Sequence, residues 1–348
     1  MRWIETILAH SDQADSRVRC EALLAIIPLL TFIGRQQDAL TYIAQTKAMA
    51  YRLEETMLLI RVLAITSQNL DRDEGKAAVA EALKLFDSVE EESSFIGAVY
   101  MLYGDLLRET GEYTAAKEYY QKADEVGRRY GVVMFGGHEG NLGRLALQEG
   151  RLSEAHALIS KDVQKTRQLN NQKGLADWLV RLGEIETYLG QWEVAHTYLQ
   201  ECFQLMETMG NLRGQADVSA GLGYLALQRG EVATAVSYLQ NSFHWYAELI
   251  PPTTGSKSRA LTPELIDAIL RAGLVAAAHQ QPTQAATLFT AVTRFSAAIN
   301  HTPSPPLAQA MNGALPAVQA ALSTADYQTA TTLGRERPLL ELLKQTWT

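Results

Sequence analysis

The chain reads as an all-α solenoid of about eight antiparallel helical hairpins. Three observations predict this. A shift of forty residues aligns the chain with itself, apolar residues recur at helical spacing, and no proline occurs between Pro28 and Pro251.

The shift brings Asn171, Gly174, Ala176 and Asp177 onto Asn211, Gly214, Ala216 and Asp217. Leu182-Gly183, Gly190 and Ala195 meet Leu222-Gly223, Gly230 and Ala235, and Tyr198-Leu199-Gln200 and Phe203 meet Tyr238-Leu239-Gln240 and Phe243. Twelve identities in 33 positions exceed what composition alone supplies, so the repeat is real.

Taken in chain order, Ala22 to Ile33 is the longest apolar run, broken by Pro28 and Thr31. It is too short for a bilayer, which needs about 20 residues, and reads as a buried helix. A weak copy of the repeat follows at Gly34 with Ala39, and another lies between Asp71 and Ala82 in ambiguous register. The strong copies place a mid-helix glycine at Gly104, Gly143, Gly183, Gly223 and Gly273. A turn comes seven residues later at Gly111, Gly150, Gly190 and Gly230, with Gln280 in the last place, and an alanine five residues beyond at Ala116, Ala155, Ala195, Ala235 and Ala285. Second helices carry one apolar stripe, as in Ala195, Tyr198, Leu199, Cys202, Phe203 and Met206. Thr262-Pro263-Glu264 is an N-cap, an N1 proline and a first-turn acid. A last weak copy is Ala325-Asp326-Tyr327 with Ala330.

A glycine inside a helix costs about 1 kcal/mol against alanine, so five at one repeat position imply a compensating contact. The expectation is that each glycine meets the alanine twelve residues later where two helices cross, and that stacked hairpins then bury a continuous core.

Composition narrows the function. With 47% hydrophobic and 20% charged residues the chain can bury a core, and its net charge of −8 with interspersed signs opposes nucleic acid as a direct ligand. Two separated cysteines, Cys20 and Cys202, make no disulfide framework, which points to a reducing, cytoplasmic setting. Met1 to Glu5 shows no secretory h-region, and no membrane partner is expected.

A hairpin with mid-helix glycine followed by Gly-x-aromatic-x-x-Ala resembles the tetratricopeptide repeat, best at Gly111-Glu112-Tyr113-Thr114-Ala115-Ala116 and Gly190-Gln191-Trp192-Glu193-Val194-Ala195. The period here is 38–40 residues rather than the family's 34, and the proline that usually closes each repeat is missing. This longer form is similar to the C-terminal arrays of bacterial STAND-type signalling ATPases and of LuxR-type, maltose-activator-like regulators. Ala285 to Ala291 followed by Pro303-Ser304-Pro305-Pro306 looks like the closing module of those arrays, and Trp3 to Leu8 like the second helix of a repeat whose first helix is absent. The resemblance implies a right-handed superhelix. It divides the chain into 1–12, the end of a truncated repeat; 13–249, repeats one to six; 250–262, an exposed loop; and 263–348, repeats seven and eight with capping helices.

No catalytic motif or cofactor site is expected. Gly255-Ser256-Lys257-Ser258 lacks the glycine before lysine that a phosphate loop needs, and Gly136 to Gly143 falls in the first helix of the fourth hairpin, without a preceding strand. His156 and His196 occupy equivalent places in successive repeats, too far apart to share a metal, so no metal site is expected and both read as surface or inter-repeat residues. Glu90-Glu91-Glu92 is a solvated charge run, Trp192 a structural turn residue, and Trp178 and Trp245 are core or anchor surface.

By analogy with tetratricopeptide domains, the inner face of the first helices carries the binding residues. These are Asp105, Arg108, Asn141, Arg144, Gln148, Asp177, Arg181, Glu184, Tyr188, Asp217, Tyr224, Gln228, Asp267 and Arg271. Such a band suits a protein, a peptide or a small inducer. The resemblance implies a non-catalytic sensor acting on its own N-terminal ATPase and DNA-binding domains, and it is compatible with a homo-oligomer. The alternative is a free-standing adaptor that docks a partner's peptide or helix in the same groove.

Overall fold

Helices follow wherever the apolar stripe repeats, and glycine or another left-handed residue follows the first helix of each of the five strong copies. The computed structural model describes residues 16–32, 35–67, 70, 72–89, 94–131, 138–250 and 261–346. Among the described residues the chain is all-α, with seventeen helices, and it divides into two compact units, Met1–His138 and Glu139–Thr348. Residues 1–12, Gly34, Asp71, Glu90 to Glu92, Gly136-Gly137 and most of the expected 250–262 loop lie outside the described residues.

The first unit pairs α1 (Arg17–Phe32) with α2 (Gln36–Leu53), α3 (Thr56–Ser67) with α4 (Arg72–Asp87), and α5 (Phe95–Glu109) with α6 (Tyr113–Tyr130). Helix α1 holds Pro28 in its interior and, as its apolar run predicts, buries Cys20, Leu23, Leu24, Ile26, Ile27 and Leu30.

The second unit continues with α7 (His138–Gln148), α8 (Leu152–Gln168), α9 (Gln172–Tyr188), α10 (Trp192–Thr208), α11 (Leu212–Gln228), α12 (Val232–Leu249), α13 (Pro263–Ala278) and α14 (Pro282–Ile299). In the last places, α15 (Pro305–Ala320) packs on α13 and α14, α16 (Thr324–Glu336) packs on α14, and α17 (Leu339–Gln345) packs on α12. Helices α11 and α13 are central. On α11 every residue from Gly214 to Ala226 except Asp217 is buried, and on α13 so is every residue from Leu265 to Ala276 except Asp267. A helix apolar or small all round belongs inside a core.

The mid-helix glycines do lie at helix crossings, one turn further along than expected. A methyl at Gly104, Gly143, Gly183, Gly223 or Gly273 would strike the side chain sixteen positions later: Tyr120, Ile159, Leu199, Leu239 and Phe289 respectively, at 2.5–3.0 Å. The alanine twelve positions later contributes its carbonyl, 3.2 Å from the added carbon at both Gly143 and Gly223. The turn glycines Gly111, Gly150, Gly190 and Gly230 have φ of 76–79°, and Gln280 adopts φ 58° in the fifth copy. The repeated Asn-x-x-Gly is a helix cap: Asn171 and Asn211 each accept the amide of the glycine three residues on, at 3.0 Å. Such a cap contributes about 1 kcal/mol.

Candidate functional site: the inner faces of the first helices

In the first unit, Asp105 on α5 accepts the Tyr120 hydroxyl at 2.9 Å and stands 3.9 Å from Arg108, whose guanidinium also approaches Glu109 at 3.3 Å. Asp105 therefore fastens α5 to α6, and Arg108 braces it from the same helix. The other twelve predicted residues belong to the second unit.

On α9, Asp177, Arg181, Glu184 and Tyr188 follow helical spacing and share one face. Asp177 is exposed and faces Lys173 at 3.2 Å. Arg181 reaches Glu184 at 2.8 Å and Glu264, in the first turn of α13, at 3.3 Å. Arg271 of α13 returns to Glu184 at 2.5 Å. Burial alone would raise the Glu184 carboxyl, but the two guanidiniums outweigh it and hold the group below the usual carboxylate range. Helices α9 and α13, two hairpins apart, are thus linked past the intervening α11 by these ion pairs.

The expected band is consequently less open than a solvated face. Asn141, Tyr224 and Arg271 are 2%, 6% and 4% exposed, so they belong to the floor and not to a free surface. Tyr224 and Arg271 are covered where side chains of α9 reach them. Tyr188 and Tyr224 pack edge to face with centroids 5.9 Å apart, and burial pushes the Tyr188 hydroxyl up to about 12. Asp217 accepts the Tyr246 hydroxyl, and burial, reinforced by Glu264, pushes its carboxyl up to about 7. Arg144 is half-buried and Gln228 is exposed.

Three predicted residues converge on a segment that spacing alone did not single out. Asp267 Oδ1 lies 2.9 Å from His301 Nε2, Gln148 Nε2 donates to the Thr302 carbonyl at 2.6 Å, and the Tyr188 hydroxyl lies 3.3 Å from Ser304 Oγ. Pro305 packs beside Gly150. The available signal was the run Pro303-Ser304-Pro305-Pro306, which favours an extended, solvated backbone.

Other candidates resolve structurally. The Gly140 amide donates to the buried Asp162 carboxylate at 2.6 Å, and a methyl there would meet the Trp178 ring, so this helix start is filled from within. His156 bridges hairpins through Glu186 at 2.9 Å. Trp178 is buried, Trp245 packs on Phe203, and Trp192 is 42% exposed at its turn. Among the described residues no group of three His, Cys, Asp or Glu is placed to hold a metal ion. None of the described helices is long and apolar enough to cross a membrane.

No family model and no curated protein sequence matches the chain. Among solved structures it is similar to a Rap protein complexed with Competence and Sporulation Factor: 10% identity, 94% of this chain and 98% of that one, TM-score 0.54. It is also similar to a Signal Transduction ATPase with Numerous Domains (STAND) protein with a tetratricopeptide repeat sensor from Pyrococcus horikoshii. There the identity is 16%, the match spans 96% of this chain and 54% of that one, and the TM-score is 0.49. A third is the C-terminal part of a TPR repeat-containing protein from Cytophaga hutchinsonii, at 14% identity over 83% of this chain and 99% of that one, TM-score 0.32. The chain has a tetratricopeptide-like helical-repeat fold.

Proposed function

We propose that the chain is a non-catalytic scaffold and sensor that binds a protein, peptide or small inducer on the inner face of its second unit. In this reading binding regulates an attached signalling ATPase or transcription regulator, within the cytoplasm. The observation that carries it is that side chains from three first helices, Gln148 of α7, Tyr188 of α9 and Asp267 of α13, already hold an extended stretch of polypeptide. A carbonyl, a hydroxyl and an imidazole are peptide chemistry. The fold shared with the Rap protein, solved in complex with Competence and Sporulation Factor, supports the same kind of role.

Within the site, Gln148, Tyr188 and Asp267 are the contact residues, and Arg144, Asp177 and Gln228 form the rim. Arg181, Glu184, Arg271, Asp217, Tyr224 and Asn141 hold the floor rigid, which lowers the ordering cost of binding. Asp105 and Arg108 mark the corresponding face of the first unit.

The test is to pan short displayed peptides against the intact chain and against His301→Gly/Ser304→Gly, in which the resident segment is loosened. Clones should emerge that lose binding when Gln148→Ala and Tyr188→Ala are added, and that raise the melting temperature by mass action. If no clone depends on those two side chains, the reading is abandoned. The regulatory half is checked by sequencing upstream of Met1: a frame without an ATPase or DNA-binding domain removes it.

A further inference from the structure

We infer that residues 301–305 are an internal ligand of the inner face, and that the partner which replaces them is an extended peptide of the same pattern. That pattern is a basic or imidazole side chain, a serine or threonine three residues later, and a proline directly after. The inference rests on the groove reading above and names its partner class.

The segment has the geometry of a bound peptide. Asn300 closes α14 in the left-handed conformation, with φ 51° and ψ 37°, and turns the chain away from the helix axis. Residues 301–304 are non-helical, and Ser304 has φ −56° and ψ 146°, in the polyproline II region. Pro303, Pro305 and Pro306 restrict the backbone before any contact forms, so little entropy is lost on docking.

Each contact reads a different feature. Asp267 takes the imidazole of His301, Gln148 takes the backbone carbonyl of Thr302, and Tyr188 takes the Ser304 hydroxyl. Pro305 rests on Gly150, where an added carbon would lie 3.3 Å from the proline Cγ. At the equivalent turns Gly111, Gly190 and Gly230 the same carbon would meet nothing within 4 Å. The segment therefore seats on one turn that its counterparts leave bare.

The segment can leave without dismantling the repeats. Helix α16 is fixed to α14 independently, through the Thr287 hydroxyl on the Ala330 carbonyl at 3.2 Å and Arg294 on the Arg335 and Arg337 carbonyls. Between these two anchored helices, 301–305 and α15 form an excursion in which α15 buries only Leu307 and Val318. A tethered segment competes at high effective concentration, so the intact chain should bind an outside peptide more weakly than a loosened one.

The probe is a fluorescent synthetic peptide with the sequence of Asn300 to Leu307. His301→Gly/Ser304→Gly, checked for native helix content by circular dichroism, should bind it roughly tenfold or more tighter than the intact chain. Adding Gln148→Ala and Tyr188→Ala should abolish binding. On the unmodified chain, which removes any question of folding, excess peptide should shift the imidazole proton signals of His301 as the ring leaves Asp267. A folded loosened chain that ignores the peptide, or unchanged His301 signals in the intact chain, overturns the inference. If panned clones use Gln148 and Tyr188 but lack the basic-x-x-hydroxyl-proline pattern, the inference falls while the groove reading stands. If no clone binds that face, both fall.

Discussion

At Gly183 an added methyl would stand 2.5 Å from Leu199 Cγ and 2.6 Å from its Cδ2. Gly183→Ala gains up to about 1 kcal/mol of helix propensity, yet it forces a branched side chain out of a packed crossing. The expected net effect is a loss of about 1–3 kcal/mol, read as a lower urea midpoint at unchanged slope. Combined with Leu199→Ala, which alone costs about 2–5 kcal/mol, the loss should be smaller than the sum. Gln280 offers the reverse case, because it holds at φ 58° a turn that four other copies give to glycine. Gln280→Gly should raise the unfolding free energy by about 0.5–1 kcal/mol in the same assay. Both positions were legible because the repeat printed them several times. The partner of each glycine was not, since crossing geometry decides whether the residue twelve or sixteen positions later fills the gap. Asn171 and Asn211 aligned just as plainly, but a cap is recognised only once the first turn of its helix is known.

Helix α11 carries Asp217 as the one incompletely buried position between Gly214 and Ala226. Its carboxyl titrates near 7 when folded, against an ordinary value of 3.8. Between those values the native state keeps a proton that the unfolded chain has released, so stability falls as pH rises through this window and is level above it. Asp217→Asn keeps a neutral acceptor for Tyr246 and should remove that fall. The variant should be more stable by roughly 1–3 kcal/mol at neutral pH and equal to the wild type in acid, measured by urea unfolding across pH. The faces of α9, α11 and α13 were readable from helical spacing. Their closure over one another was not, because Glu184 and Arg271 are 87 residues apart in the chain and nothing local marks the pair. Hence, of the residues expected to line an open groove, Gln148, Tyr188 and Asp267 touch residues 301–304, while Arg181, Glu184 and Arg271 pair with one another.

For the molecule as a whole, the hairpin arrangement was legible because periodicity survives low sequence similarity, whereas the route of the closing segment was not. Arrays in which each hairpin touches only its neighbours lose structure piecemeal. In the second unit Arg181–Glu264 and Arg271–Glu184 skip a hairpin, and Gln148–Thr302 links the end of α7 to the residues after α14. The amides of α7 and α8 should therefore exchange with nearly the same opening free energy as those of α13. In His301→Gly/Ser304→Gly they should exchange first, as a separate and cheaper opening. Thr302, reaching back 154 positions to Gln148, acts as the buckle of a belt. On that expectation the hairpins it encircles should melt together, and unfastening it should turn one cooperative block into a chain of loosely coupled links.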